Sequence, residues 1–211
     1  MKPSAADLRA LARRDPVLGR ALRGLPAFPG FPDRKHPRQA SHYAALSSAI
    51  VYQQLATKAA DTIWKRVCAL EHDGRFPEPA RLLAHDDLTL RGAGLSRGKI
   101  AALRDLCTRI EDGRLELERL ARRSDERVIE ELVEVRGIGR WSAQMFLLFR
   151  LGRLDVLAEG DLGVQEGLRL LDGLDGRPGP REVLERARSW SPLSSVGCWA
   201  MWRLVDRARQ G

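Results

Sequence analysis

The residues best suited to chemistry lie in one stretch, Val135-Arg136-Gly137-Ile138-Gly139-Arg140-Trp141-Ser142-Ala143, and at one acid downstream, Asp161. Gly137 and Gly139 flank Ile138, as a backbone requires when it must reach positive φ in a tight turn while Ile138 fills the gap between two helices. With no side chains beside them, the two glycine N–H groups can meet an anion directly. They also stand at the start of a helix, where unpaired donors and the positive dipole end favour phosphate. By itself a Gly-x-Gly is better read as a helix C-cap followed by a new helix. Arg136 and Arg140 on either side, the apolar helix that follows and the basic chain as a whole turn the reading toward a phosphate-binding hairpin. Asp161 immediately precedes Leu162-Gly163-Val164-Gln165-Glu166-Gly167-Leu168, where helical spacing resumes, so on local grounds it is the N-cap of that helix. Capping N–H groups would also hold such a carboxylate ionised and aimed, which is compatible with a catalytic anion.

The elements that must position these groups are helices. Ala, Leu, Arg and Glu dominate and recur with helical spacing, while Val, Ile, Thr and aromatic residues are sparse, so the chain is all-α. Helices are expected over Ala5–Arg13, from Pro16 to near Gly24, from Ser41 to Leu55, and over Thr57–Glu71, Ile100–Glu111, Ser124–Val133 and Arg181–Arg188. Shorter ones lie within Pro77–His85, Asp86–Arg91 and Leu115–Arg122. An apolar helix runs from the hairpin to near Leu151, and Ser194 or Ser195 caps a last one ending at Arg207. Pro26 to Pro37 reads as a surface loop able to touch nucleic acid. The polar pair Gln53-Gln54 breaks a buried pattern at a helix end and marks either a cap or a functional rim.

The 211 residues carry 36 Lys and Arg against 28 Asp and Glu, a formal charge of +8, with a pI near 10.1. That balance calls for a polyanionic partner, nucleic acid first, and the lack of a long apolar span argues against a membrane one. The N-terminus has no apolar signal core and no lipidation motif, so a cytoplasmic protein is expected. Cys68, Cys107 and Cys198 fall among apolar neighbours and read as buried free thiols.

From about Ser41 onward the chain resembles the helix-hairpin-helix DNA glycosylases, and among them the 3-methyladenine DNA glycosylase II (AlkA-like) type, in its compact form without the N-terminal β domain. The resemblance rests on Ile50-Val51-Tyr52-Gln53-Gln54-Leu55, on Gly94-Leu95-Ser96 with Lys99, on the hairpin stretch, and on Asp155-Val156 leading to Gly160-Asp161-Leu162-Gly163-Val164. It implies two helical lobes with a cleft between them, about 41–123 and about 1–40 with 124–211, within one domain of 211 residues. It further implies removal of alkylated purines from duplex DNA by base flipping and hydrolysis of the N-glycosidic bond, with Asp161 as the catalytic carboxylate.

By the same resemblance Trp202 and Trp141 line the base pocket, with Tyr52 and Met145 as weaker members, while Trp199 and Trp64 belong to the core. Gln54, with Leu55 as the alternative, wedges into the gap left by the extruded base. Arg136, Gly137, Ile138, Gly139, Arg140 and Ser142 meet DNA. Relatives that also cut the strand carry a lysine where this chain has Trp141, so a monofunctional enzyme is implied. No cofactor is required; Na+ or K+ held by the backbone carbonyls of Val133, Val135 and Ile138 is implied at the hairpin, and three dispersed cysteines provide no iron–sulfur cluster. A monomer acting on the nucleoid is the corresponding expectation. Ala158-Glu159-Gly160 lacks a proline common before the aspartate, Ser194 replaces an arginine, and Met145 replaces a tyrosine of some relatives. These departures bear on substrate range rather than reaction type. The competing readings are a non-catalytic helix-hairpin-helix DNA-binding module and a bifunctional glycosylase/lyase.

Overall fold

The structure, a computed structural model, describes residues 2–31 and 41–210. All regular elements among them are helical. In chain order they are α1 (Ala5–Arg14), α2 (Pro16–Arg23), α3 (His42–Tyr52), α4 (Thr57–Cys68), α5 (Pro79–Ala84) and α6 (Asp87–Gly92). There follow α7 (Arg97–Glu111), α8 (Asp125–Val133), α9 (Arg140–Phe146), α10 (Leu162–Asp172), α11 (Pro180–Arg186) and α12 (Ser194–Ala208). Many starts are set locally. Ser41, Ser96, Ser124 and Asp161 each accept the amide N–H three residues on, a cap that contributes about 1 kcal/mol. No helix among the described residues is long and apolar enough to cross a membrane.

Several boundaries differ from expectation. Helix α3 stops at Tyr52 because Gln54 turns left-handed, at φ 56°. The segment Leu117–Arg122 is 3-10, and the apolar helix after the hairpin loosens to a π turn over Leu147–Leu151. Neither Ser194 nor Ser195 caps α12 with its side chain. Asp155, from a preceding loop, instead accepts the Ser194 N–H at 3.2 Å and its hydroxyl at 2.6 Å. The expected surface loop is partly core, since Phe28 and Phe31 are buried edge-to-face, Phe28 also against Trp199; residues 32–40 lie outside those described.

Two compact units emerge, one from Met1–His36 and Leu147–Gly211, the other from Pro37–Phe146. In the first, Leu11, Leu18, Trp190, Leu168 and Met201 are buried, and α10 lies directly on α12. A Cβ built on Gly167 would stand 2.4 Å from the Met201 carbonyl oxygen, so only glycine permits this approach. Asp15, almost wholly buried, caps α2 and accepts from Arg186 at 2.6 Å and from the Trp190 indole at 2.8 Å. In the second, Leu46, Ile50, Leu82, Leu103, Leu106 and Leu132 form the core, with α7 packed on α5 and α3. Each such leucine contributes about 2 kcal/mol by leaving water.

The division falls elsewhere than expected, because residues 124–146 group with 37–123 rather than with the N-terminal segment. The reason is a set of direct bonds. The Arg136 N–H donates to Asp105 of α7 at 2.7 Å, the Gln53 amide donates to the Gly137 carbonyl at 2.9 Å, and α9 packs on α8 and α3. All three cysteines are buried free thiols, with Cys198 pushed up to about 12 by burial.

Candidate active site and nucleic-acid interface

The hairpin belongs to the second unit. Gly137 adopts φ 79°, a region that L side chains rarely enter, whereas Gly139 does not, so one glycine rather than both serves the turn. Ile138 is buried as expected, and Arg136, Gly137, Gly139 and Arg140 are exposed around it. A Cβ built on Gly139 would meet nothing within 4 Å, which leaves its face open to an incoming ligand. Arg140 bonds Glu126 of α8 at 2.9 Å, and that bond holds the Glu126 carboxyl below its usual range. The carbonyls of Val133, Val135 and Ile138 are neutral oxygens, a donor set fitting a hard monovalent cation. Val135 O already accepts the Ile138 N–H at 3.0 Å. Among the described residues no cluster of His, Cys, Asp or Glu is arranged to hold a metal ion.

Beside the hairpin, in the same unit, α3 ends in Gln53-Gln54-Leu55. Gln54 is the only described residue other than glycine with positive φ, a conformation costing about 1 kcal/mol. Gln54 and Leu55 are both exposed. The turn is held from two sides, by the Gln53–Gly137 bond and by Lys99, whose Nζ donates to the Val51 carbonyl at 2.6 Å. Burial shifts the Lys99 ammonium below its usual pKa. Tyr52, expected at the pocket, donates its hydroxyl to Asp61 at 2.5 Å. Partial burial first, then this bond to Asp61, push its phenol up to about 12, so it stays neutral. Trp141 is 48% exposed, and Met145 and Ser142 are half-buried. Trp64 stacks on Phe76 at 4.2 Å, half-buried rather than deep in the core.

Asp161 and Trp202 belong to the first unit, and the structure brings them together. The Trp202 indole N–H donates to Asp161 Oδ1 at 2.8 Å, and the same oxygen accepts the Val164 N–H at 2.8 Å. The carboxylate is therefore both a helix cap and a fixed anion. Its loop is tied down without proline. Ala158 is buried with its N–H on Cys198 Sγ at 3.4 Å, and the Gln165 amide donates to the Glu159 carbonyl at 3.0 Å. The Ser195 hydroxyl accepts the Val156 N–H at 3.0 Å.

Two residues beside Asp161 escaped the sequence reading. Phe149 stacks on Trp202 with centroids 5.6 Å apart while remaining 44% exposed, and it sits on the π turn, an irregularity frequent at functional sites. Leu162, directly after Asp161, is 65% exposed. The available signal for Phe149 was its place four residues beyond Met145 along one helix.

A hairpin with an open glycine, and a capped aspartate beside an aromatic pair, are features suited to an enzyme that handles a phosphate-bearing polymer. The chain belongs to the HhH-GPD superfamily of base excision DNA repair proteins, whose model matches residues 47–192. It is 33% identical over 162 residues to DNA-3-methyladenine glycosylase 1 of Schizosaccharomyces pombe, covering 76% of this chain and 71% of that one. A crystal structure of a DNA-3-methyladenine glycosidase from Bacillus halodurans superimposes with a TM-score of 0.86 at 32% identity, covering 100% of this chain and 94% of the other. The Schizosaccharomyces pombe 3-methyladenine DNA glycosylase in complex with abasic DNA gives 0.78 at 28% identity, with 94% and 95% covered.

Proposed function

We propose that this protein is a monofunctional DNA glycosylase that hydrolyses the N-glycosidic bond of alkylated purines in duplex DNA, with Asp161 as the catalytic carboxylate. The observation carrying the assignment is the double hold on Asp161 Oδ1 by the Val164 amide and the Trp202 indole. Family membership supplies the reaction class, and the 3-methyladenine glycosylases it resembles supply the substrate class.

A purine alkylated on a ring nitrogen carries positive charge, so breaking its C1′–N bond returns the bonding electron pair to the ring and releases a neutral base. Positive charge then builds on the deoxyribose. A fixed anion stabilises it, and the same anion orients the water whose oxygen bonds C1′ and whose proton passes to Asp161 or to solvent. Exposed aromatic faces suit an electron-poor base, through stacking and cation–π attraction. Trp141 and Phe149 offer such faces. Gln54 and Leu55 are assigned to fill the space left by the flipped nucleotide. The hairpin from Arg136 to Arg140, with Ser142, grips the backbone; Val133, Val135 and Ile138 would hold Na+ or K+, which adds positive charge for a phosphate. Trp141 offers no amine for a Schiff base, and the nucleoid is the assigned place of action.

The test is base release from methylated duplex DNA, with strands examined before and after hot alkali. Free methylpurine with breaks only after alkali is expected, without borohydride trapping of a protein–DNA adduct. Asp161→Asn should keep DNA binding and lose release by about a thousandfold, as for other preorganised electrostatic groups. Binding without release by the wild type would make the protein a non-catalytic hairpin module.

A further inference from the structure

We infer that Gly163 is a positioning residue for catalysis, because it leaves the gap through which the Trp202 indole reaches Asp161; the inference rests on the assignment of Asp161 above. Gly163 is the second residue of α10, and its backbone needs no left-handed conformation. Turn geometry therefore does not explain a glycine there. Packing does. A Cβ built at this position would stand 2.8 Å from Trp202 Cδ1, 3.1 Å from Trp202 Nε1 and 3.0 Å from Asp161 Oδ1. It would occupy the angle between the two partners of the 2.8 Å indole–carboxylate bond.

The clash has no soft way out. Cδ1 and Nε1 belong to a rigid ring rather than to the far end of a flexible chain, and Phe149 is stacked on that ring. Asp161 Oδ1 is fixed in turn by the Val164 amide. An added methyl must move the indole off the carboxylate or turn the carboxylate off its cap. Gly167, one turn further along α10, behaves differently, since its Cβ would strike the backbone of Met201 and so serves helix packing. At Gly163 the three nearest atoms all belong to the two side chains of the site. Its absent methyl is thus a feature of the reaction centre rather than of the fold.

The experiment is a double-mutant cycle on 7-methylguanine release from methylated duplex DNA under single-turnover conditions, with Gly163→Ala, Trp202→Phe, the double variant and Asp161→Asn. Gly163→Ala should slow release by about 10- to 100-fold, the scale of a small misplacement of a catalytic group. The protein should stay folded with a melting temperature within a few degrees of the wild type, because alanine's preference for a helix over glycine offsets part of the lost bond or cap. Affinity for undamaged duplex should not change. Trp202→Phe removes the indole N–H and shortens the ring, so in that background Gly163→Ala should cost under about threefold more. Wild-type rates for Gly163→Ala, or effects of the two substitutions that simply multiply, would overturn the inference while an inactive Asp161→Asn left the catalytic assignment standing. An active Asp161→Asn would remove the assignment itself, whatever Gly163→Ala did.

Discussion

The side-chain amide of Gln53 donates to the carbonyl oxygen of Gly137 at 2.9 Å, joining residues 84 positions apart. The turn bearing Gln54 and Leu55 is therefore fastened to the hairpin turn, and the two would engage DNA in a fixed register. Gln53→Ala should weaken binding to a duplex containing an abasic site by about 2- to 10-fold, the range of one neutral hydrogen bond. Titration of a labelled duplex checks this; unchanged affinity would show that the two turns act separately.

The hairpin glycines should separate in their effects. Gly137→Ala forces a side chain into φ 79° and brings a Cβ to 3.3 Å from Ala102, costing about 1–2 kcal/mol of stability. Gly139→Val adds bulk in open space, so the melting temperature should hold while affinity for damaged and undamaged duplex falls together. Thermal denaturation alongside binding at two salt concentrations distinguishes them, since loss of phosphate contacts also flattens the salt dependence.

Phe149→Ala should lower excision without unfolding the protein. The ring is 44% exposed, yet it supports Trp202 by stacking, an interaction worth about 1 kcal/mol beyond buried area. Loss of that support predicts roughly fivefold slower base release. Indole fluorescence should change as well. An unchanged rate would leave Phe149 with a packing role only.

Stability at acid pH should depend on Asp15. Burial alone would raise its carboxyl, but the bonds from Arg186, the Leu18 amide and the Trp190 indole outweigh it and hold the pKa below the ordinary value. A carboxyl depressed in the folded state stabilises the fold fully above its unfolded pKa of about 4, and that contribution is lost as pH falls through the folded value. Asp15→Asn should cost about 2–3 kcal/mol at pH 7, with a smaller difference from the wild type near pH 3. Urea denaturation at both pH values measures it.

What was legible in the sequence is what local chemistry decides. Ser41, Ser124 and Asp161 announce helix starts because a capping side chain bonds only a few residues away, whereas α7 starts at Arg97 behind a Ser96 cap, earlier than the expected Ile100. Gly137 announces its turn because few other residues enter that region of backbone space. What stayed hidden depends on partners far along the chain. Asp155 capping α12, Gln53 holding the hairpin and Trp202 reaching Asp161 each span at least 39 positions. The grouping of residues 124–146 with 37–123 stayed hidden for the same reason, since the Arg136–Asp105 bond has no mark in composition or spacing. Phe149 was lost at the end of Met145-Phe146-Leu147-Leu148-Phe149, where an exposed aromatic looks like one more core residue.

The bonds from the Val164 amide and the Trp202 indole to Asp161 Oδ1 come from residues between Leu147 and Gly211, whereas the hairpin and the Gln54 turn are built from residues 37–146. A substitution in the Gln54 turn or in the hairpin therefore removes neither of these two bonds, so variants of those turns report on the turns themselves and not on the hold on Asp161.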